Sequence, residues 1–385
     1  MKKTTLFSYI LLLLSTISIS NVFADTSFNG FASIIGGKVI DGEKYYAVYP
    51  DAGIYDDNFS LSPESLVGVQ MRTAILEDLT FTAQVVLRAN DDFKLEKEVI
   101  EWAYLTYNIN KNFTVQAGRK GLPLFLYSDS VDIRYSYDWM RPPGETYSLD
   151  FKNYNGVNLL YKDIIFGEWA LLGNLFFGEE KPDENKLFTK QFGTPVIQDQ
   201  SNIKGASFSM SDDIYTLRLS HMRTDIERHI LIPSLGEFRQ TLRDAELQFS
   251  GIAVKADYGD YYFISEYTTY KFEGIAMTSR GESPTDDEFY AWYASAGYRY
   301  DDFTFTATYA TYVGQKTEFL LNQNDPSQGT TFLRGRENNT VTLGVKYDIL
   351  SYADLRIEFN QIEDKGVYPL SGDAKIISVG MNFFF

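Results

Sequence analysis

Stretch after stretch of this chain alternates apolar and polar residues with a period of two over about ten residues, the signature of β-strands with two unlike faces. In Leu79 to Asn90, the apolar Leu79, Phe81, Ala83, Val85, Leu87 and Ala89 interleave with Thr80, Thr82, Gln84, Val86, Arg88 and Asn90. One face is greasy and the other, Val86 aside, is wet. Phe303, Phe305, Ala307 and Tyr309 alternate with threonines, and Leu355, Ile357 and Phe359 with Arg356, Glu358 and Asn360. Sixteen segments read this way: 28–38, 64–76, 79–89, 98–108, 112–119, 153–162, 167–177, 202–210, 213–223, 240–255, 260–271, 287–300, 303–313, 337–348, 353–362 and 374–385.

The connections sort into two alternating classes. Short turns fall at Glu77-Asp78, Asn110-Lys111, Asp163 to Phe166, Asp212, Gly259, Asp301-Asp302 and Leu350 to Tyr352. Longer polar loops take the other connections, among them Asp41 to Pro63, Gly178 to Ser201, Gly274 to Asp286 and Gly314 to Arg336. Such sorting describes an all-β, closed, antiparallel transmembrane barrel with short periplasmic turns and long extracellular loops. Closure is required because each unpaired backbone group in hydrocarbon costs several kcal/mol, and only a closed sheet has no edge. Both termini then lie on the short-turn side. The last segment sets Ile377, Val379, Met381, Phe383 and Phe385 against Ser378, Gly380, Asn382 and Phe384, so its apolar face ends on the final aromatic. That resembles the C-terminal signal by which outer-membrane barrels are recognised for insertion, which makes Phe385 the expected contact of the insertion machinery.

Residues 1–24 stand apart: Lys2 and Lys3 precede an apolar run that closes at Val22-Phe23-Ala24, the pattern of a cleaved secretory signal peptide. Residues 25–385 are then a single barrel domain, and losing the two lysines takes the formal charge from −17 to −19. No other apolar stretch approaches the ~20 residues of a membrane-spanning helix. Cysteine is absent, which excludes disulfides, thiolate metal sites and cysteine nucleophiles. The sequence shows no phosphate-binding loop, histidine cluster or basic patch, so no cofactor, metal or nucleic-acid partner is expected. Tyrosine and phenylalanine, at 28 and 29 residues against 4 tryptophans, suit the interfacial girdles of a barrel.

With apolar positions on lipid, the alternate positions face the lumen. They place Arg72, Arg88, Arg218, Arg299, Lys346 and Arg356 there as cations, and Asp244, Glu246 and Glu358 as anions. Arginines facing carboxylates across a narrow lumen set up a transverse field that orders polar solutes and water. The connection from Lys120 to Phe151 is long, charged and rigid, with Asp129, Asp132, Arg134, Asp138, Arg141, Glu145 and Asp150 beside Pro123, Pro142 and Pro143. Its aromatics, Phe125, Tyr127, Tyr135, Tyr137, Trp139 and Tyr147, ask for something to pack against. A loop of this kind is expected to fold into the barrel and constrict it.

Three stretches carry a family likeness: FNGFASIIGGKVIDG, EWAYLTYNINKNFTVQAGRKGLPLFLYSDSVDIRYSYDWMRPP and YNGVNLLY. They resemble the general outer-membrane porins of Gram-negative bacteria, in particular a marine gammaproteobacterial group. The resemblance implies an outer-membrane location, passive diffusion of small hydrophilic solutes and ions, and a homotrimer in contact with membrane lipid and lipopolysaccharide. The PEFGG-like element of enterobacterial constriction loops is missing, which leaves pore size and ion preference open. A substrate-specific channel, for example for saccharides, is the rival; Tyr135, Tyr137 and Trp139 are its candidate stacking residues. A pore-less structural barrel and an outer-membrane enzyme are more distant. Catalysis would need His221 or His229, and Ser220 points to the face opposite its neighbour His221.

Overall fold

The computed structural model describes residues 26–42, 45–47, 53–89, 99–186, 188–189, 193–278, 281–314, 317–320, 331–334, 337–365 and 372–385. The candidate signal peptide lies outside them. Alternating β-branched, aromatic and polar residues form the strands β1 (Thr26–Gly42), β2 (Tyr45–Ala47), β3 (Gly53–Tyr55), β4 (Leu66–Leu76), β5 (Leu79–Arg88), β6 (Ile100–Asn108) and β7 (Phe113–Gly121). The chain continues through β8 (Asn153–Ile165), β9 (Trp169–Glu180), β10 (Val196–Ser211), β11 (Tyr215–Ile232), β12 (Glu237–Asp257), β13 (Tyr261–Thr278) and β14 (Gly281–Tyr300). It finishes with β15 (Phe303–Gly314), β16 (Thr317–Leu320), β17 (Thr331–Arg334), β18 (Glu337–Leu350), β19 (Ala353–Asp364) and β20 (Ala374–Phe384).

Sixteen of these close one antiparallel barrel, in which β1 pairs with both β20 and β4. The sixteen are the segments read from the sequence. β2–β3 and β16–β17 are small hairpins inside two long connections. No helix among the described residues is long and apolar enough to cross a membrane; the strands do the crossing. Lipid-facing side chains stay exposed, such as Phe305 at 45 %, while their lumen-facing neighbours Thr304 and Thr306 are buried. Stacked Tyr261–Tyr298 and Tyr267–Tyr290 mark two levels on the outer face of β13 and β14, as interfacial girdles do.

Two expectations shift. Phe385 lies one residue past β20, yet it still closes the seam: Gly30 N donates to its carbonyl at 2.6 Å and its own N–H returns to Gly30 at 2.9 Å. The stretch Gly274 to Asp286, read as a loop, is mostly strand, because β13 and β14 stay paired from Tyr261–Tyr298 up to Thr278–Gly281. Ile275, Ala276 and Met277 run consecutively on β13 and face a polar stretch of β14, so the ladder continues without alternation. β11 to β14 run to 18–21 residues against 9–11 in β4 to β7. Since about 9–11 tilted residues cross a bilayer, one side of the wall rises well above it.

Candidate functional site

The loop between β7 and β8 folds into the barrel. Its Leu122, Leu124, Phe125, Tyr137, Trp139 and Tyr147 are buried, and with Phe176, Met222, Leu247, Phe249, Tyr270 and Tyr293 of the wall they form one apolar cluster. Phe125 stacks on Tyr147 at 4.5 Å and meets Phe249 edge-on at 5.4 Å. Polar side chains pin the loop in register. Arg218 donates to the Pro123 carbonyl at 2.6 Å, Ser220 to Leu124 at 2.7 Å, and Trp139 Nε1 to Thr308 at 2.9 Å. Glu266 accepts from the Leu126 amide at 2.9 Å and from the Tyr147 and Tyr293 hydroxyls at 2.6 and 2.7 Å.

Several of the predicted charges hold the loop. Arg356 spans Asp354 (2.6 Å), the Arg134 carbonyl (3.0 Å) and the Trp139 carbonyl. Glu358 accepts from the Met140 amide at 2.8 Å, and Arg141 bonds Glu64 and Asn360. Arg134 reaches the same Glu64 at 3.4 Å, Lys346 takes Asp138 at 2.7 Å, and Glu145 accepts from Thr340. On the opposite wall Arg88 bridges Glu101 (2.8 Å) and Asp132 (2.7 Å), with Lys152 completing the cluster. The loop is thus bonded to both sides of the barrel. Near the periplasmic end Arg299 makes a two-pronged contact with Asp257 at 2.7 and 3.0 Å.

Burial alone would raise the Asp138 carboxyl; the Lys346 ammonium 2.7 Å away, helped by the Arg356 charge, outweighs it and holds that carboxyl below its ordinary value. Asp150, at the end of the loop, goes the other way. Its burial outweighs the Arg228 charge and the Asn185 and Gln198 hydrogen bonds and pushes it up.

Asp244 and Glu246 are not in the lumen. On β12 the odd-numbered Leu247, Phe249 and Ala253 are the buried set, while Ile252 and Val254 are exposed, so the even-numbered acids share the outer face. Asp244 sits at a bulge with φ 47°, beside Arg243 at 3.3 Å, and Glu246 pairs with Arg223 of β11 at 2.5 Å. The period was right and the phase inverted, because here the inner wall carries the apolar residues that receive the loop. His221 is also outward, its Nδ1 2.9 Å from Ser250 Oγ.

Among the predicted charges that do face the lumen, Arg72 and Asp129 are the solvent-exposed ones. Arg72 lies on the inner face of β4, opposite Thr82, which is opposite Tyr104, which is opposite Gly118. Lys120 of β7 lies over the Tyr104 ring at 4.8 Å and bonds Gln116. Asp129, on the loop, acts electrostatically on both Lys120 and Tyr104. Sequence reasoning missed Lys120, Tyr104, Glu64, Glu101, Lys152, Glu266 and Asp354. Glu101 is turned inward by a register shift between β5 and β6 that alternation does not reveal, and Lys120 falls just past the expected strand end.

A family model described as Gram-negative porin matches residues 44–367. The chain belongs to the Gram-negative porin family. No curated protein sequence matches it. The porin's fold is similar to the trimer form of OmpT, an outer membrane protein of Vibrio cholerae, with 11% identity, a TM-score of 0.58 and 94% of this chain against 100% of that one. It is similar to the outer membrane channel DcaP of Acinetobacter baumannii (10%, 0.59, 94% against 97%) and to Salmonella typhi OmpF in complex with daunomycin (12%, 0.56, 94% against 97%). This porin is therefore a bacterial outer-membrane channel for small solutes, in a sixteen-stranded barrel.

Proposed function

We propose that solutes pass between the loop segment around Asp129 and the wall formed by β4 to β9. Loop charge Asp129 and wall charges Arg72 and Lys120 are the constriction, and the other candidate lumen charges act by holding the loop. One observation carries this reading: Arg72 and Asp129 are exposed, whereas Arg88, Asp132, Arg134, Arg141, Arg356 and Glu358 are all buried in contacts with the loop or its anchors. Diffusion is passive and no catalytic step is involved.

The excess of acid is spread over the loops and outer rim, mostly beyond a Debye length of ~8 Å from the constriction. It favours cations at low salt, and the preference weakens as salt rises. The outer face of the low wall, with Ala83, Ala103 and Ala117 between larger apolar residues, faces partner copies in a homotrimer, while the outer rim meets lipopolysaccharide.

Because the chain has no cysteine, single cysteines report on the path without background. In planar bilayers, Arg72→Cys and Asp129→Cys channels should lose current to a charged thiol reagent, and Arg356→Cys channels should not. Ohmic conductance that the reagent blocks equally at all three positions would remove the proposed path, and an absence of conductance would remove the channel.

A further inference from the structure

Among the described residues, the inward-facing cations that meet the loop or line the wall beside it are mostly matched. Arg88 has Asp132 at 2.7 Å, Arg299 has Asp257 at 2.7 Å, Lys346 has Asp138 at 2.7 Å, and Arg356 has Asp354 at 2.6 Å. Arg218 is taken up by a loop carbonyl and Ser209. The wall around Tyr104 breaks the rule. Lys120 rests on a neutral ring and a neutral amide, and Arg72, on the same rung as Tyr104, is exposed among Gln70, Thr82 and Ala74.

We infer that Arg72 and Lys120, flanking Tyr104, form a weak binding subsite for the carboxylate of a small organic solute. This rests on the path proposed above and adds the solute class to it. Strands about 4.8 Å apart put β4 and β7 roughly 14 Å apart at this rung, within the joint reach of two long basic side chains and a small solute between them. Gly118, next on the rung, adds no side chain there, and at φ 136° it is a backbone position that other residues rarely adopt. Guanidinium and ammonium groups both make charge-assisted hydrogen bonds to carboxylates, and the surrounding amides and hydroxyls accommodate the solute's polar remainder. Asp129, on the facing loop, opposes an anion held there. That keeps residence short, as conduction requires binding strong enough to enter and weak enough to leave.

The test uses the full-length barrel in planar bilayers in potassium chloride, with butyrate and its neutral isostere butyramide as probes. Butyrate should reduce the current saturably, and butyramide at equal concentration should not. Arg72→Gln and Lys120→Gln should each weaken the butyrate effect roughly tenfold, about what the loss of one charged hydrogen bond costs, and Asp129→Asn should strengthen it. Inorganic phosphate competing as well as butyrate would make the site a general oxyanion site and overturn the carboxylate assignment. A conducting channel that treats butyrate and butyramide alike, or two glutamine variants that behave as the parent, would overturn the subsite while leaving the channel intact. A barrel that does not conduct fails the path first. Line broadening of carbon-13 butyrate by the folded barrel, lost in the glutamine variants, then decides the subsite by itself.

Discussion

Three donors converge on Glu266, and two arginines share Glu64; such contacts fix the loop more narrowly than apolar packing would. Removing one partner of a buried ion pair costs about 3–5 kcal/mol, because the other charge is left uncompensated. Asp138 and Lys346 make the same kind of link at the loop's far side, with a pH dependence whose sign is fixed. A carboxyl that folding holds low contributes stability present above its unfolded value near ~3.9 and lost as pH falls through the folded one. Below about pH 4 the loop should therefore loosen around Trp139, seen as a red shift and quenching of fluorescence in a variant keeping Trp139 as its only tryptophan. Lys346→Met should abolish this acid loosening and, with burial of Asp138 then dominant, reverse its sign so that the loop holds better at low pH; an unchanged profile would mean that Asp138 does not control the loop. Lys346 was readable from alternation and Asp138 from the make-up of the long connection, whereas Glu64 and Glu266 were not, and no partner was. Arg88 and Asp132 are 44 positions apart, and nothing local pairs them.

At the scale of elements, alternation exposed all sixteen barrel strands, because a wall with lipid on one side and polar groups on the other must repeat every two residues. It failed where that contrast fails. The upper parts of β11 to β14 do not alternate, with runs such as Ile230-Leu231-Ile232 and Ile275-Ala276-Met277, so their ends were read as loop, and β12 is apolar inward at Leu247 and Phe249, so Asp244 and Glu246 were placed on the wrong side. Glycine spacing carries a separate message. Gly118 has φ 136°, and a Cβ there would collide with the Ala103 carbonyl where β6 and β7 pair. Gly118→Val should therefore sharply reduce the yield of folded barrel, measured as the heat-modifiable band on a gel. Val115→Ala, on the outer face of the same strand, should fold at near-parent yield. Equal yields from both would show that the strand tolerates a side chain at that point.

For the whole molecule, the seam between β1 and β20 is where the chain's two ends meet, with register running from Phe31–Phe384 to Gly42–Ala374. Deleting Phe385 removes the two backbone bonds to Gly30 at the periplasmic end of that seam. The deletion should lower the amount of folded barrel in the outer membrane while leaving the selectivity of the remaining channels unchanged; normal amounts would separate Phe385 from assembly. Across the interior, the loop binds β5 through Arg88 and Asp132 on one side and β18 and β19 through Lys346, Arg356 and Glu358 on the other. In mechanical terms that is a strut. A hollow tube squeezed in the plane of the membrane flattens into an ellipse, whereas a tube braced across its diameter resists flattening along the brace. Lateral pressure then changes the bore along only one axis.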